Sequence, residues 1–122
     1  AGEGAALAAI DALEQAGGGA VQIACVADAD GRIDLAAALG ELAARGITRV
    51  WSEGGPRIGA ALIAQGLADR VILYRAPKPF GRAGLPALSA DARAMLADPA
   101  RYEAARTATI GVDRRTLHER KL

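Results

Sequence analysis

The residues best suited to chemistry lie near the middle of the chain, in the run WSEGGP at positions 51–56. An apolar stretch ends in the carboxylate of Glu53, and two glycines and Pro56 follow before a helical pattern begins. Glycines at a strand-to-helix turn let the backbone approach a ligand closely, and the helix that follows offers free N–H groups and the positive end of its dipole. Such a joint is suited to binding phosphate, with Glu53 placed to accept hydrogen bonds from substrate hydroxyls.

Two purely structural interpretations of this run stay open at the level of local pattern. The glycine pair is also typical of a tight turn without a ligand, and Glu53 is also typical of a helix cap or a solvated residue at a strand end. The run lacks the GK[ST] ending of a Walker loop and the spacing of a G-x-G-x-x-G fingerprint. It therefore indicates an anion site without identifying the ligand.

The other reactive side chains lack the partners that catalysis or metal binding requires. Cys25 and Trp51 are expected to be core residues. His118 is expected on an exposed strand edge. Lys78 is expected to be a solvated loop residue, and the second alternative is that it reaches a phosphate. The single cysteine excludes an internal disulfide and a cysteine-cluster zinc site. We therefore predict no metal site and identify no catalytic residue.

Hydrophobic periodicity predicts the elements that must hold this joint. Strands that alternate with helices predict an α/β fold with a parallel sheet core and right-handed crossovers, and the last two strands predict an antiparallel hairpin at its edge. Pro56 is predicted in the first turn of the third helix, where its missing N–H costs nothing. The predicted helices with their caps are 3–15, 34–46, 56–66 and 89–96, and the predicted strands are 21–28, 47–51, 70–75, 101–110 and 114–121.

Length and composition limit the possible classes of protein. The 122 residues suffice for one small domain, and 52% are hydrophobic but only 3% aromatic, which predicts a thin core. The net charge of +1 gives no argument for nucleic acid or an anionic membrane as a partner. A reducing, cytoplasmic location fits the single cysteine. The arginines near the C-terminus, expected to form a solvated strand face, are Arg101, Arg106, Arg114, Arg115 and Arg120.

An ordered series of motifs over residues 30–81 resembles the C-terminal reductase domain of the bifunctional riboflavin-biosynthesis deaminase/reductase. That family carries a DGR-x-DL lead-in, a strand ending in VEGG, a GLVDE turn and a Y-x-AP-x-x-x-G segment in this order. Ser52 stands where the family usually has an apolar residue, and Ala68 stands where it has a valine. The matching residues here are Asp30-Gly31-Arg32 with Asp34-Leu35, Glu53-Gly54-Gly55, Gly66-Leu67-Ala68-Asp69, and Tyr74 with Ala76-Pro77 and Gly81.

The resemblance implies a partial dihydrofolate-reductase-like three-layer fold, a homodimer, and reduction by NADPH. The implied substrate is the small molecule 5-amino-6-(5-phosphoribosylamino)uracil, whose ribosyl group is reduced to ribityl. Glu53 is implied to contact this substrate, and a cis peptide is implied between the two glycines. The residues implied to line the NADPH phosphates are Gly54, Gly55, Pro56, Arg57, Ile58 and Gly59.

The chain opens without an initiator methionine inside a helical pattern, so we expect residues 1–122 to be a single C-terminal portion of a reductase domain. Such a portion is expected to be inactive alone, because half a cofactor cleft does not fix hydride geometry. Two alternatives remain open. One is a non-catalytic structural or dimerisation module, and the other is a reductase of the same fold that acts on another substrate, such as a pterin.

Overall fold

The computed structural model describes residues 2–26, 28–29, 31–79, 81–82 and 84–122, with side chains from residue 7 onward except at 28–29. These residues form two compact units, 1–49 and 50–122. The first contains α1 (Gly2–Ala16), β1 (Asp28–Ala29), β2 (Arg32–Ile33) and α2 (Leu35–Ala44). The second contains α3 (Gly55–Ala64), β3 (Arg70–Arg75), α4 (Ala90–Ala97), β4 (Tyr102–Ile110) and β5 (Asp113–Arg120).

One helix of each unit begins at a residue that the sequence marks as a cap. The Asp34 carboxylate accepts a hydrogen bond from the Ala37 N–H at 3.0 Å at the start of α2, and the Ser89 hydroxyl accepts one from the Ala92 N–H at 3.1 Å at the start of α4. Each bond satisfies one of the N–H groups that the first turn leaves without a helical partner. After α2, Gly46 adopts a φ of +81°, which is typical of a helix terminus. All four predicted helices are confirmed.

The sheet of the second unit is antiparallel throughout, in the order β3-β5-β4. The predicted C-terminal hairpin is confirmed, since β4 and β5 pair along their length around a turn in which Gly111 has a φ of +62°. The predicted strand 70–75 is also confirmed as β3, but it lies antiparallel to β5. The described residues therefore form a mixed α/β structure.

The predicted parallel sheet core is wrong for the described part of the chain. Residues 47–51 form no strand, and residues 21–26 form none either; position 27 lies outside the described residues, and the short β1 pairs antiparallel with β2. A strand needs a neighbouring backbone to satisfy its N–H and C=O groups, and these two apolar runs pair with no described strand. Because these runs have no described partner strand, Cys25 and Trp51 are exposed, although both were expected in the core. The exposed fraction of Trp51 is 70%.

A small apolar cluster holds the second unit together. The buried residues come from α3, α4, the loop before α4 and β4, and Val71 and Leu73 of β3 pack against them. The Tyr102 hydroxyl donates a hydrogen bond to the Ala68 carbonyl at 2.8 Å, which ties the start of β4 to the segment between α3 and β3. The buried members of the cluster are Ile63, Leu88, Ala92, Leu96 and Tyr102.

His118 lies in the interior of the sheet, which corrects the expectation of an exposed edge. It occupies β5, the central strand, opposite Val71 on one side and Ala104 on the other, and its side chain is half-buried. Burial disfavours the charged imidazole and lowers the pKa of His118 below its ordinary value.

Truncation of a core side chain tests the packing of the second unit. Leu96, only 4% exposed, should lose about 2–5 kcal/mol of unfolding free energy on substitution Leu96→Ala, because the cavity is lined by residues from α3 and β4. The control Leu85→Ala, at a residue 93% exposed, should change it by less than about 0.5 kcal/mol. Urea denaturation measures both, and similar losses in the two variants would rule out this core.

The lowered pKa of His118 also predicts that the stability of the protein depends on pH. A folded-state pKa below the unfolded value means that the unfolded chain binds more protons, so stability should fall as pH drops below about 6.5. The variant His118→Gln should lose less unfolding free energy than the wild type between neutral pH and pH ~5.5. Urea midpoints at several pH values measure this difference, and parallel curves for the two proteins would contradict the burial of His118.

Candidate functional site

The glycine pair lies where α3 begins, as the sequence predicts. Gly54 is the residue before the helix, Gly55 is its first residue and Pro56 its second. Gly55 adopts a φ of +79°, a conformation that other residues reach only with strain. A Cβ atom on Gly54 would stand 3.0 Å from the Ile58 Cβ, a contact so tight that a side chain here requires Ile58 to shift. The peptide between the two glycines is trans, which corrects the implied cis bond.

The first turn of α3 carries no side-chain cap, unlike those of α2 and α4. Pro56 has no N–H, and the N–H groups of Gly55 and Arg57 donate no hydrogen bond to any described side chain. The Ser52 hydroxyl lies 3.5 Å from the Gly54 nitrogen, at the limit of a hydrogen bond, and outside the helix. The start of α3 is therefore an exposed group of backbone donors at the positive end of a helix dipole, an arrangement that binds anions.

Glu53 stands next to these donors on an exposed segment. Its Oε1 accepts a hydrogen bond from the Trp51 indole N–H at 3.0 Å. This bond, between residues two apart in the chain, restrains the carboxylate close to the turn. Because Glu53 is exposed, its second carboxylate oxygen is accessible to a hydroxyl donor from a ligand.

The remaining residues implied in cofactor binding divide between two sides of α3. Arg57 and Ile58 are exposed together with the glycine turn, with Ile58 at 40%. Gly59 is half-buried, and a Cβ there would make ordinary contact with Leu88 of the core at 3.7 Å. The structure thus brings five of the six residues together on the accessible first turn, with Gly59 turned toward the core. Lys78 is exposed in the loop after β3, as expected.

A second group of polar residues was not identified from sequence. It surrounds an open cavity of about 190 Å³ whose lining includes Arg101, Tyr102, Arg120 and Lys121. Arg120 forms an ion pair with Asp69 at 2.8 Å, and burial raises the pKa of the Tyr102 phenol, which keeps its proton for the bond to Ala68. Ala68 and Asp69 belong to the motif Gly66-Leu67-Ala68-Asp69. This motif therefore serves to attach the C-terminal hairpin.

The described side chains offer no alternative metal site. None of them forms a group of three or more His, Cys, Asp or Glu residues able to hold a metal ion. Within the described ranges, every helix is too short or too polar to cross a bilayer.

Comparison with known proteins gives two matches. The family model described as the RibD C-terminal domain matches residues 6–113. A stretch of 51 residues is 39% identical to the riboflavin biosynthesis protein RibD of Escherichia coli (strain K12). This stretch is 42% of the present chain but 14% of that protein, so the chain corresponds to a small part of its relative's length.

Two glycine substitutions in α3 test the geometry of the turn. Gly55→Ala should lower the unfolding free energy by about 1–2 kcal/mol, because alanine is strained at a φ of +79°. Gly59→Ala should raise it by about 1 kcal/mol, because alanine favours a helix interior and its Cβ finds ordinary contact with Leu88. Urea denaturation of both variants measures the difference, and effects of the same sign would contradict this geometry.

Proposed function

The chain belongs to the RibD C-terminal domain family, and on that basis we propose that the protein carrying it is an NADPH-dependent reductase of riboflavin biosynthesis. The proposed substrate is 5-amino-6-(5-phosphoribosylamino)uracil, whose ribosyl group is reduced to ribityl. Residues 1–122 are assigned to one portion of the reductase domain, with a dihydrofolate-reductase-like fold. A cytoplasmic location is part of the same proposal.

The observation that carries this proposal is the uncapped start of α3 at the glycine pair. NADPH carries three phosphate groups, and its bound form supplies a hydride to the substrate. The N–H groups of Gly55 and Arg57 fit a phosphate because they are exposed, lack a side-chain cap and lie at the positive end of the helix dipole. The Arg57 guanidinium adds a full positive charge at the same turn, and Gly54, Pro56 and Ile58 complete the accessible surface.

Glu53 is proposed to hold the sugar of the substrate. A carboxylate accepts hydrogen bonds from two ribosyl hydroxyls at once, and such charge-assisted bonds are stronger than neutral ones. Its position one residue before the glycine turn places the sugar beside the cofactor phosphate site rather than on it. In this role Glu53 orients the substrate and transfers no proton.

The isolated 122 residues are proposed to be inactive. Residues 47–51, which lead into the glycine turn, pair with no described strand, and Trp51 is exposed beside Glu53. A turn that is not anchored by a sheet does not fix the distance between hydride donor and acceptor. The active unit is therefore proposed to be the whole protein in which this chain occurs.

A structural or dimerisation role is the second candidate, and the sheet supplies an observation for it. The order β3-β5-β4 leaves one edge of β3 and one edge of the nine-residue β4 without a described partner strand. Free edges of this kind pair readily with another chain, which supports the proposed homodimer. Catalysis and dimerisation are compatible, and only a protein that dimerises without binding NADPH would favour the structural role alone.

Substitution of the carboxylate tests the proposed reaction in the whole protein. Glu53→Gln should lower kcat/KM for the pyrimidine substrate at least about tenfold, which corresponds to about 1.4 kcal/mol of transition-state binding, and should leave the Kd for NADPH nearly unchanged. The matched control Glu14→Gln, at an exposed glutamate of α1, should change neither constant.

Oxidation of NADPH with this substrate, followed by absorbance, measures kcat/KM, and calorimetry measures the Kd. Equal kcat/KM for Glu53→Gln and wild type would remove Glu53 from the substrate site. A wild-type protein that binds NADPH but reduces only a different substrate, such as a pterin, would select the other reductase alternative.

A further inference from the structure

Two arginines stand directly opposite each other on neighbouring strands of the C-terminal sheet. Arg75, the last residue of β3, is paired with Arg114, the second residue of β5. Side chains in such a pair project from the same face, with Cβ atoms about 4.5–5.5 Å apart, and like charges in this position repel. Both side chains are exposed, and among the residues that the structure describes neither forms an ion pair.

The carboxylates of the same sheet lie on its opposite face. Asp113 and Glu119 are an even number of residues apart on β5, so their side chains project from the same face. Glu103 of β4 stands opposite Glu119. Arg114 follows Asp113 directly, so its side chain projects from the other side of the strand. Strand alternation therefore gives the arginine pair a face that has no carboxylate from β3, β4 or β5.

Hydroxyl groups lie beside the arginine pair on the β4 and β5 part of this face. Thr109 of β4 stands opposite Arg114 and is exposed, and the next row toward the core contains Thr107 opposite Thr116. Leu73 of β3 stands opposite Thr116 in this same row and packs against the core cluster, so the arginine pair lies at the end of the face where its apolar part stops. At the end of the sheet, Lys78 follows Arg75 by three residues, which places its Cα within about 11 Å of the Arg75 Cα.

We propose that Arg75, Arg114 and Thr109 form an oxyanion site that binds a phosphate group. Two guanidinium groups offer paired N–H donors that match the oxygens of phosphate, and the threonine hydroxyl supplies a further neutral donor. Bound phosphate neutralises the repulsion between the arginines, so the ligand and the sheet stabilise each other. This site is separate in its residues from the start of α3 and does not depend on the proposed reductase activity.

Inorganic phosphate tests the site directly in the 122-residue chain. Phosphate should raise the thermal midpoint of the wild type, and the double variant Arg75→Gln/Arg114→Gln should bind phosphate at least about tenfold more weakly by calorimetry. The control Arg93→Gln/Arg106→Gln removes the same charge from exposed positions on α4 and on the opposite side of β4, and should bind like the wild type.

A second readout separates a binding site from a solvated strand face. In low-salt buffer without phosphate, Arg114→Gln should raise the thermal midpoint because it removes the repulsion between the two arginines. Added phosphate should reduce the difference in thermal midpoint between this variant and the wild type. Absence of any phosphate-dependent shift in the wild type, or an equal shift in the double variant, would overturn the proposal.

Competition identifies the source of the phosphate group. If NADPH displaces inorganic phosphate from the chain and NADH does not, the site takes the phosphate that distinguishes the two cofactors. If neither displaces it, the site takes a free phosphate or one carried by another molecule. Both results support an oxyanion site at Arg75 and Arg114. In either case, the calorimetric signal of phosphate binding must be lost in the double variant.

Discussion

The packing of Tyr102 is the interaction on which the second unit depends. Its ring belongs to the buried cluster with residues of α3 and α4, and its hydroxyl donates a hydrogen bond to the Ala68 carbonyl in the segment between α3 and β3. The same segment receives the ion pair from Arg120 to Asp69, so the two ends of the C-terminal hairpin both attach to it. This attachment joins the sheet to the segment that follows α3, and the first turn of the same helix is the candidate phosphate site.

The family motifs divide between maintaining the fold and forming the site. Ala68 and Asp69 attach the hairpin, whereas Gly54 and Gly55 open the start of α3 to a ligand. Glycine at the cap position lowers helix stability by roughly a few tenths of a kcal/mol relative to a Ser, Thr, Asp or Asn cap. The other two internal helices have such caps, so α3 is the helix in which local stability is given up where an anion is proposed to bind.

Local pattern was sufficient for the helices and the hairpin because their signals are contained in short segments. Asp34, Ser89 and Pro56 mark helix starts through their own side chains, and the two strands of the hairpin follow each other directly in the chain. The apolar runs 21–26 and 47–51 indicate extended backbone, but a strand also requires a partner that these segments do not specify. The pairing of Arg75 with Arg114 was equally inaccessible, since it depends on the register of strands distant in sequence. The glycine turn was predicted from residues alone, with an anion site and a hydroxyl-binding Glu53 as one of two open interpretations, and the identity of the ligands came from family resemblance.

Hydrogen exchange in the whole protein, with and without NADPH, tests the central claim most directly. The account predicts that NADPH slows exchange of the backbone amides of Gly55 and Arg57 in the peptide covering the glycine turn, because the cofactor phosphate accepts their hydrogen bonds. Amides in the exposed turn of the C-terminal hairpin at Gly111 should exchange at the same rate in both samples. Tight NADPH binding with unchanged exchange across residues 54–58 would contradict the assignment of this turn to the cofactor.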